Sequence, residues 1–318
     1  MKYNIVFLVL CSFNFGLGQK WQNWHHIINS QTQNIELKNL KEIKSSVNEV
    51  HHEYLFQKKV TFQNGFEKPE NRIVNGSETL PHQYPFQAAI LAQEQSVDVD
   101  FCGGTLITKR FVLTAAHCLY GYKHLTVVLG AHNLSINEPS QQVFYTDEFV
   151  VHPRWFVTFL ISRNDVGLVK LPRDALLNEF VQTIRLPRLH QMETTFSGMN
   201  ATTIGWGKTK MSENVHRDVL RHVSNPIVAY ESCREQFAAY IPIDKKCHIC
   251  FSNEQGRGVC NGDSGGPLII RDEDGEITQV GVTSFITACE NPERPAGFAR
   301  ISSYLYFIAE NSDYVLEQ

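Results

Sequence analysis

The chain has 318 residues, 29 Lys/Arg against 33 Asp/Glu, a formal net charge of −4 and 42% hydrophobic residues. No basic stripe stands out, which argues against a nucleic-acid partner, and no segment is long and apolar enough to read as a membrane span. The hydrophobic share and length are those of a globular protein with a sizeable core, not of a disordered or fibrous one.

Residues 1–18 read as a signal peptide. Lys2 supplies the positive start, Ile5 to Cys11 the apolar run, and Gly16 and Gly18 the small residues near a cleavage site. The implied destination is the extracellular space. Residues 19–72 follow as a polar, cysteine-free block with eight Lys/Arg and six Asp/Glu. Ile35, Leu37, Leu40, Ile43, Val47 and Val50 recur at helical spacing, so one amphipathic helix is expected over 35–50. His25-His26 and His51-His52 sit in this solvated stretch and read as polar surface. At Arg72-Ile73 the composition shifts, and residues 73–318 carry 20 Lys/Arg against 27 Asp/Glu.

From Ile73 onward, short apolar runs alternate with turn residues, the pattern of an all-β protein. Phe86–Leu91, Thr105–Ile107, Phe111–Leu113, Thr126–Leu129 and Gln279–Val282 are such runs. No alternation of strands with helices points to a parallel sheet. A helical signal returns at the end, where Tyr304, Phe307, Ile308 and Val315 are expected on the inner face of a C-terminal helix. Eight cysteines agree with export; Cys11 leaves with the signal and seven remain, so one lacks an intramolecular partner. Asn75-Gly76-Ser77, Asn133-Leu134-Ser135 and Asn200-Ala201-Thr202 are glycosylation sequons.

Three segments carry chemistry: Thr114-Ala115-Ala116-His117-Cys118, Asn164-Asp165-Val166-Gly167-Leu168 and Gly262-Asp263-Ser264-Gly265-Gly266-Pro267. A serine hydroxyl needs a base to take its proton, a histidine titrates in the right range, and a carboxylate can hold the imidazole. The chain order His, Asp, Ser is that of chymotrypsin-type proteases and not of subtilisins or α/β-hydrolases. From Ile73 to about Ile308 the sequence resembles the trypsin/chymotrypsin family of serine endopeptidases, with a look closest to arthropod chymotrypsin-, elastase- or collagenase-like enzymes. It departs from the usual Asp-Ile-Ala-Leu at Asp165-Val166-Gly167-Leu168.

The resemblance implies two six-stranded antiparallel β-barrels with a C-terminal α-helix and an active site in the cleft between them. It implies that Ser264, His117 and Asp165 form a triad, that the N–H groups of Gly262 and Ser264 form the oxyanion hole, and that Ser284 hydrogen-bonds the triad aspartate. Cleavage after Arg72 would free the α-amino group of Ile73 to pair with Asp263, making residues 19–72 a propeptide and the full chain a zymogen. It suggests disulfides Cys102–Cys118, Cys233–Cys250 and Cys260–Cys289, leaving Cys247 as a free thiol or a competitor with Cys250 for Cys233. A further bridge common among relatives falls at Ala201 and Ile270 and is absent. The family's calcium loop needs acids near 131–141, and Ala131 stands where the first is usual, so no metal is expected. No cofactor motif is present.

The family's primary pocket would have Gly258 at its base, with Ser284, Phe285, Ile286 and Ala296 along its walls. Without an acid at 258 the pocket should reject Lys and Arg, and Ile286 should favour Ala, Val, Leu or Met over Phe and Tyr. The opposing view is that Gly258 deepens the pocket enough to keep aromatic cleavage. Expected partners are protein or peptide substrates, an activating trypsin-like protease and protease inhibitors, for a secreted monomer. A non-catalytic homologue acting by binding is the alternative, and a lipase or esterase a weaker one, since the Gly-x-Ser-x-Gly elbow is missing.

Overall fold

Burial along the strands shows how the apolar runs are used. The computed structural model describes residues 76–93, 99–157, 162–208, 218–237, 241–286 and 294–318, all within one compact unit that spans Glu67–Gln318. The signal peptide, the expected 35–50 helix, Arg72, Ile73 and Cys289 lie outside the described residues. Strand β1 (Ser77–Glu78) is followed by β2 (Gln87–Gln93), β3 (Val99–Leu106), β4 (Phe111–Thr114), β5 (His124–Leu129), β6 (Gln142–Thr146) and β7 (Phe149–Val151). The short pair β8 (Phe156–Val157) and β9 (Ser162–Arg163) leads into β10 (Gly167–Lys170).

Strands β2 to β7 join β10 in one antiparallel half-barrel, ordered β6-β5-β2-β3-β4-β10-β7, while β1, β8 and β9 stand apart from it. Its central strand β2 is buried along nearly its whole length, which suits small residues such as Ala88 and Ala89 packed on both faces.

The second half contains β11 (Asn200–Gly205), β12 (Arg221–Val228), β13 (His248–Phe251), β14 (Pro267–Arg271), β15 (Ile277–Phe285) and β16 (Ala296–Arg300). Their order β12-β11-β14-β15-β16-β13 closes on itself through β13 pairing β12, and β1 adds to the outer side of β12. A closed barrel leaves no open edge to pair with another chain. Strand β12 alternates buried and half-buried residues in strict period two, as a barrel strand with one wet face should. Ala201 and Ile270 face each other across β11 and β14, so the cross-strand position of the absent bridge is filled by two apolar side chains.

Two cores result. One gathers Ile90, Leu113, Val127, Leu129 and Leu168 and continues past the first sheet to Trp206, Val282, Ile301 and Tyr304. The other fills the closed barrel with Val223, Ile227, Phe251, Leu268, Val280 and Phe298. The continuity of the first cluster locks the halves together, and the cleft between them is therefore set by packed side chains.

Helix α1 (Tyr230–Phe237) carries Cys233, and α2 (Leu305–Glu310) closes the chain. The C-terminal helix is shorter than the spacing suggests. Tyr304 and Ile308 are buried as expected, but Val315 lies beyond the helix and is 81% exposed. The helix ends at Asn311, whose side chain donates to Phe307 O, while Ser312 donates to Ile308 O. Side chains that bond the last free carbonyls stop a helix at that point.

Candidate active site

His117 sits in a single 3-10 turn, Ala116–Cys118, at the end of β4. The disulfide Cys102–Cys118 ties that turn to β3. Cys102, Cys118 and His117 lie close together, but the two cysteines are joined to each other and have no thiolate to offer a metal.

Asp165 is presented from the turn between β9 and β10. Asn164 takes a left-handed backbone (φ 53°), a conformation that asparagine tolerates better than most residues, and its amide donates to Arg154 O at 2.7 Å. The departure Asp165-Val166-Gly167 has a local cause. A Cβ on Gly167 would press on Leu119 Cδ1 at 2.6 Å, so Leu119 fills the space that a side chain at 167 would take.

Asp165 is 3% exposed and receives three hydrogen bonds. The His117 backbone N–H donates to Oδ1 at 2.9 Å, His117 Nδ1 bonds Oδ2 at 2.8 Å, and Ser284 Oγ donates to Oδ2 at 2.5 Å. Burial pushes the Asp165 carboxyl up, but the facing imidazolium and these bonds outweigh it, and the group is held below its ordinary range. For His117 burial pulls the imidazole down, while the Asp165 charge and hydrogen bond raise it further than that. The net shift is upward.

Ser264 is half-buried in a turn that bridges both halves. Gly103 N of β3 donates to Ser264 O at 2.7 Å, Gly265 N donates to Thr283 O at 2.9 Å, and Thr283 N donates to Gly266 O at 2.9 Å. Thr114 Oγ1 donates to Gly103 O at 2.8 Å and completes the link to the histidine turn. Gly262 (φ 97°) and Gly265 (φ 76°) occupy backbone that disfavours any side chain, and a Cβ on Gly265 would strike Thr114 and Gly103. Among the described residues, neither the Gly262 nor the Ser264 N–H donates a hydrogen bond. Both backbone donors are thus unengaged among the described residues.

Asp263 points the other way. It is 1% exposed, with Oδ1 accepting from Gly207 N at 2.8 Å and Oδ2 from Cys260 N at 2.9 Å. No cation reaches it among the described residues, and burial pushes its carboxyl up to about 7 against the pull of those two bonds. A Cβ on Gly205 or Gly207 would collide with the carboxylate, so the segment Gly205-Trp206-Gly207 forms its cradle. Motif spacing alone misses that cradle; its one signal is an aromatic flanked by two glycines at the end of an apolar run.

Residues expected to line the pocket fall at one end of the closed barrel. Phe251 at the end of β13 pairs with Ala296 at the start of β16, and Ile286 packs against the cluster containing Ala296 and Val259. Phe285 stands edge-on to Phe237 (5.3 Å) and His248 (5.4 Å), and its ring covers Gly297 so closely that no side chain fits there. The Arg257 guanidinium donates to Asn225 Oδ1 at 3.2 Å, which engages its charge at β12. Cys233 is joined to Cys250, and Cys260 is also disulfide-bonded. Cys247 is a free, half-buried thiol whose titration burial pushes up. In the loop after β5, Glu138 accepts from the backbone N–H groups of His132 (2.6 Å) and Asn133 (3.1 Å).

Known proteins share this architecture. Residues 73–308 match the Trypsin family model. A chymotrypsin from Phaedon cochleariae is 37% identical over 77% of this chain and 84% of its own length. Brachyurin from Leptuca pugilator is also 37% identical, over 74% of this chain and 96% of its own. The solved structure of HL collagenase superimposes with a TM-score of 0.67 at 29% identity, over 76% of this chain and 100% of its own. The chain belongs to the trypsin family, and it is a chymotrypsin-like serine endopeptidase.

Proposed function

We propose that the protein is a secreted endopeptidase made as a zymogen, with Ser264 as nucleophile, His117 as general base and Asp165 as the group that orients the imidazole. The observation that carries the reading is the double attachment of His117 to buried Asp165, through its ring and through its own backbone N–H. With Nδ1–H committed to Asp165, the free lone pair of the neutral ring lies on Nε2, the nitrogen that must take the serine proton. Ser264 Oγ attacks the scissile carbonyl carbon as Nε2 accepts its proton. The N–H groups of Gly262 and Ser264 receive the carbonyl oxygen as it gains negative charge. The imidazolium then gives that proton to the leaving amine, and the C–N bond breaks to leave an acyl-enzyme. Water, deprotonated by the same nitrogen, hydrolyses the ester and restores the serine.

Activation follows from Asp263. A fully buried carboxyl with only two N–H donors is an incomplete site, since burying an unpaired charge is costly. Cleavage after Arg72 by a trypsin-like protease frees the Ile73 α-amino group to supply the missing cation. Residues 19–72 act as the propeptide and 1–18 as the signal, and Asn75, Asn133 and Asn200 are glycan acceptors on the exported protein. The substrate pocket built by Gly258, Ser284, Phe285, Ile286 and Ala296 takes uncharged P1 side chains of modest size, aliphatic in preference to aromatic. The engagement of Arg257 with Asn225 supports a pocket without local charge. The product works as a monomer on protein or peptide substrates and is open to protein inhibitors of this family.

The test is to activate the purified precursor with trypsin, sequence its new N-terminus and label it with an organophosphate. The expected result is Ile-Val-Asn-Gly at the N-terminus and one label per chain, on Ser264. Absence of labelling in a folded, cleaved protein would refute the reading.

A further inference from the structure

The floor of the primary pocket is more than a bare glycine. Asn253, two residues beyond β13, is 2% exposed, and a Cβ built on Gly258 would collide with its Oδ1 and Cγ. The Asn253 carboxamide therefore stands where the first atom of a side chain at 258 would stand. The loop is bent to bring it there: Gln255 adopts φ 60° and Gly256 φ 65°, so the chain doubles back and sets Asn253 against Gly258. A left-handed glutamine is strained backbone, held by its surroundings.

Several neighbouring polar groups of the loop are matched, although Arg257 Nε is not. Asn225 Nδ2 donates to Ser252 O at 2.7 Å and to Arg257 O at 2.9 Å, and Gly256 N donates to Asn253 O at 3.0 Å. Asn253 Oδ1, by contrast, is shielded from solvent with no hydrogen-bond partner. A buried amide oxygen left unmatched costs free energy in the empty protein, and a ligand that reaches it recovers that cost. Phe251 pairs with Ala296 at this end of the barrel, and Ile286 packs on the cluster that holds Ala296 and Val259.

We propose that Asn253 is the specificity-determining residue at the floor of the primary pocket, and that it selects peptides whose P1 side chain ends in a carboxamide, glutamine above all. The proposal rests on the endopeptidase reading and refines its P1 preference. Short aliphatic side chains such as Ala and Val stop short of the floor. Met and Leu reach it but leave the amide unmatched. Glutamine has nearly the length of methionine and carries both a donor and an acceptor, so it pairs with a carboxamide in either orientation. Lys and Arg bring a donor too, but their charge would be desolvated with no counter-ion.

The experiment uses the trypsin-activated enzyme, with active sites counted by organophosphate titration. It compares kcat/KM on peptides that differ only at P1, as Gln, Met, Leu, Ala and Lys. The expected wild-type preference for Gln over Met is about tenfold, the worth of one buried hydrogen bond that its competitor lacks. In Asn253→Ala the Gln-to-Met ratio should fall to about one. In the isosteric Asn253→Asp, turnover of the Lys substrate relative to Met should rise at least about tenfold, because the amide oxygen becomes a countercharge. Wild-type enzyme that cleaves Met or Leu as well as Gln, or a Gln-to-Met ratio unchanged in Asn253→Ala, would overturn the proposal while leaving the endopeptidase intact. Failure of every form to take up the organophosphate would overturn the endopeptidase reading, and this one with it.

Discussion

Asp165 and Asp263 are two aspartates with nearly the same burial and opposite chemistry. Asp165, at the junction of the two halves, receives the His117 ring, the His117 backbone and the Ser284 hydroxyl, and its carboxyl is held below the ordinary range. Asp263, beneath the serine turn, has two backbone donors, no cation among the described residues, and a carboxyl pushed up to about 7. Burial acts against ionisation at both sites; what differs is the partner. One site is complete among the described residues, while the other has no positive charge among them, and the proposed cleavage would deliver one. The zymogen reading is contained in that contrast.

Breaking the complete site has the largest consequences. Ser264→Ala should lower kcat by about 10⁶-fold with the fold intact, measured on the trypsin-activated protein. Asp165→Asn should cost about 10⁴-fold, because the amide presents the wrong partner to Nδ1 and no longer steadies the imidazolium. It should also move the acid limb of the pH–rate profile. Protonated His117 cannot act as a base, so activity rises as pH passes its pKa, which Asp165 raises above 6.5. Without that charge, burial alone acts on the ring, and the limb should shift to lower pH. Ser284→Ala removes one hydrogen bond to the charged carboxylate, so kcat should fall about tenfold or somewhat more.

The smallest effect concerns packing around the complete site. Gly167→Ala introduces a methyl against Leu119 and should destabilise the protein by about 1–3 kcal/mol in urea unfolding. In a Leu119→Ala background the same change should cost less than it does alone, since the space is then vacant. Equal costs in the two backgrounds would mean that Leu119 is not what keeps residue 167 a glycine.

Much of this architecture is legible in the amino-acid sequence. The runs at Phe86–Leu91, Phe111–Leu113, Thr126–Leu129 and Gln279–Val282 all lie on or overlap strands, because apolar β-rich segments between turn residues have few other uses. His117 and Asp165, picked out by short motifs, and Ser284, implied by the family resemblance, do meet in one hydrogen-bonded group, and the glycines beside Ser264 hold tight turns that no other residue would make. Contact between distant segments is what pattern cannot show. The Gly205-Trp206-Gly207 cradle lies more than fifty residues before Asp263, and Asn253 fills the space above Gly258 only because the loop between them doubles back. Val315 departs from expectation for a related reason: helical spacing ignores side chains such as Asn311 and Ser312 that end a helix early.

The most direct test of the account compares the stability of Ser264→Ala protein before and after cleavage at Arg72, by urea unfolding across pH 4 to 8. In the precursor the folded Asp263 carboxyl titrates near 7 and the unfolded one near 3.8. The folded state then binds a proton that the unfolded state has lost, so this group's contribution declines as pH rises from about 4 through 7. The gap between the two values corresponds to about 4 kcal/mol. In the cleaved protein the Ile73 ammonium should pair with the carboxylate, and that decline should vanish. Carboxylates common to both forms cancel in the difference. Cleaved protein should gain on precursor by several kcal/mol between pH 4 and pH 8; parallel pH profiles for the two forms would overturn the pairing of Ile73 with Asp263.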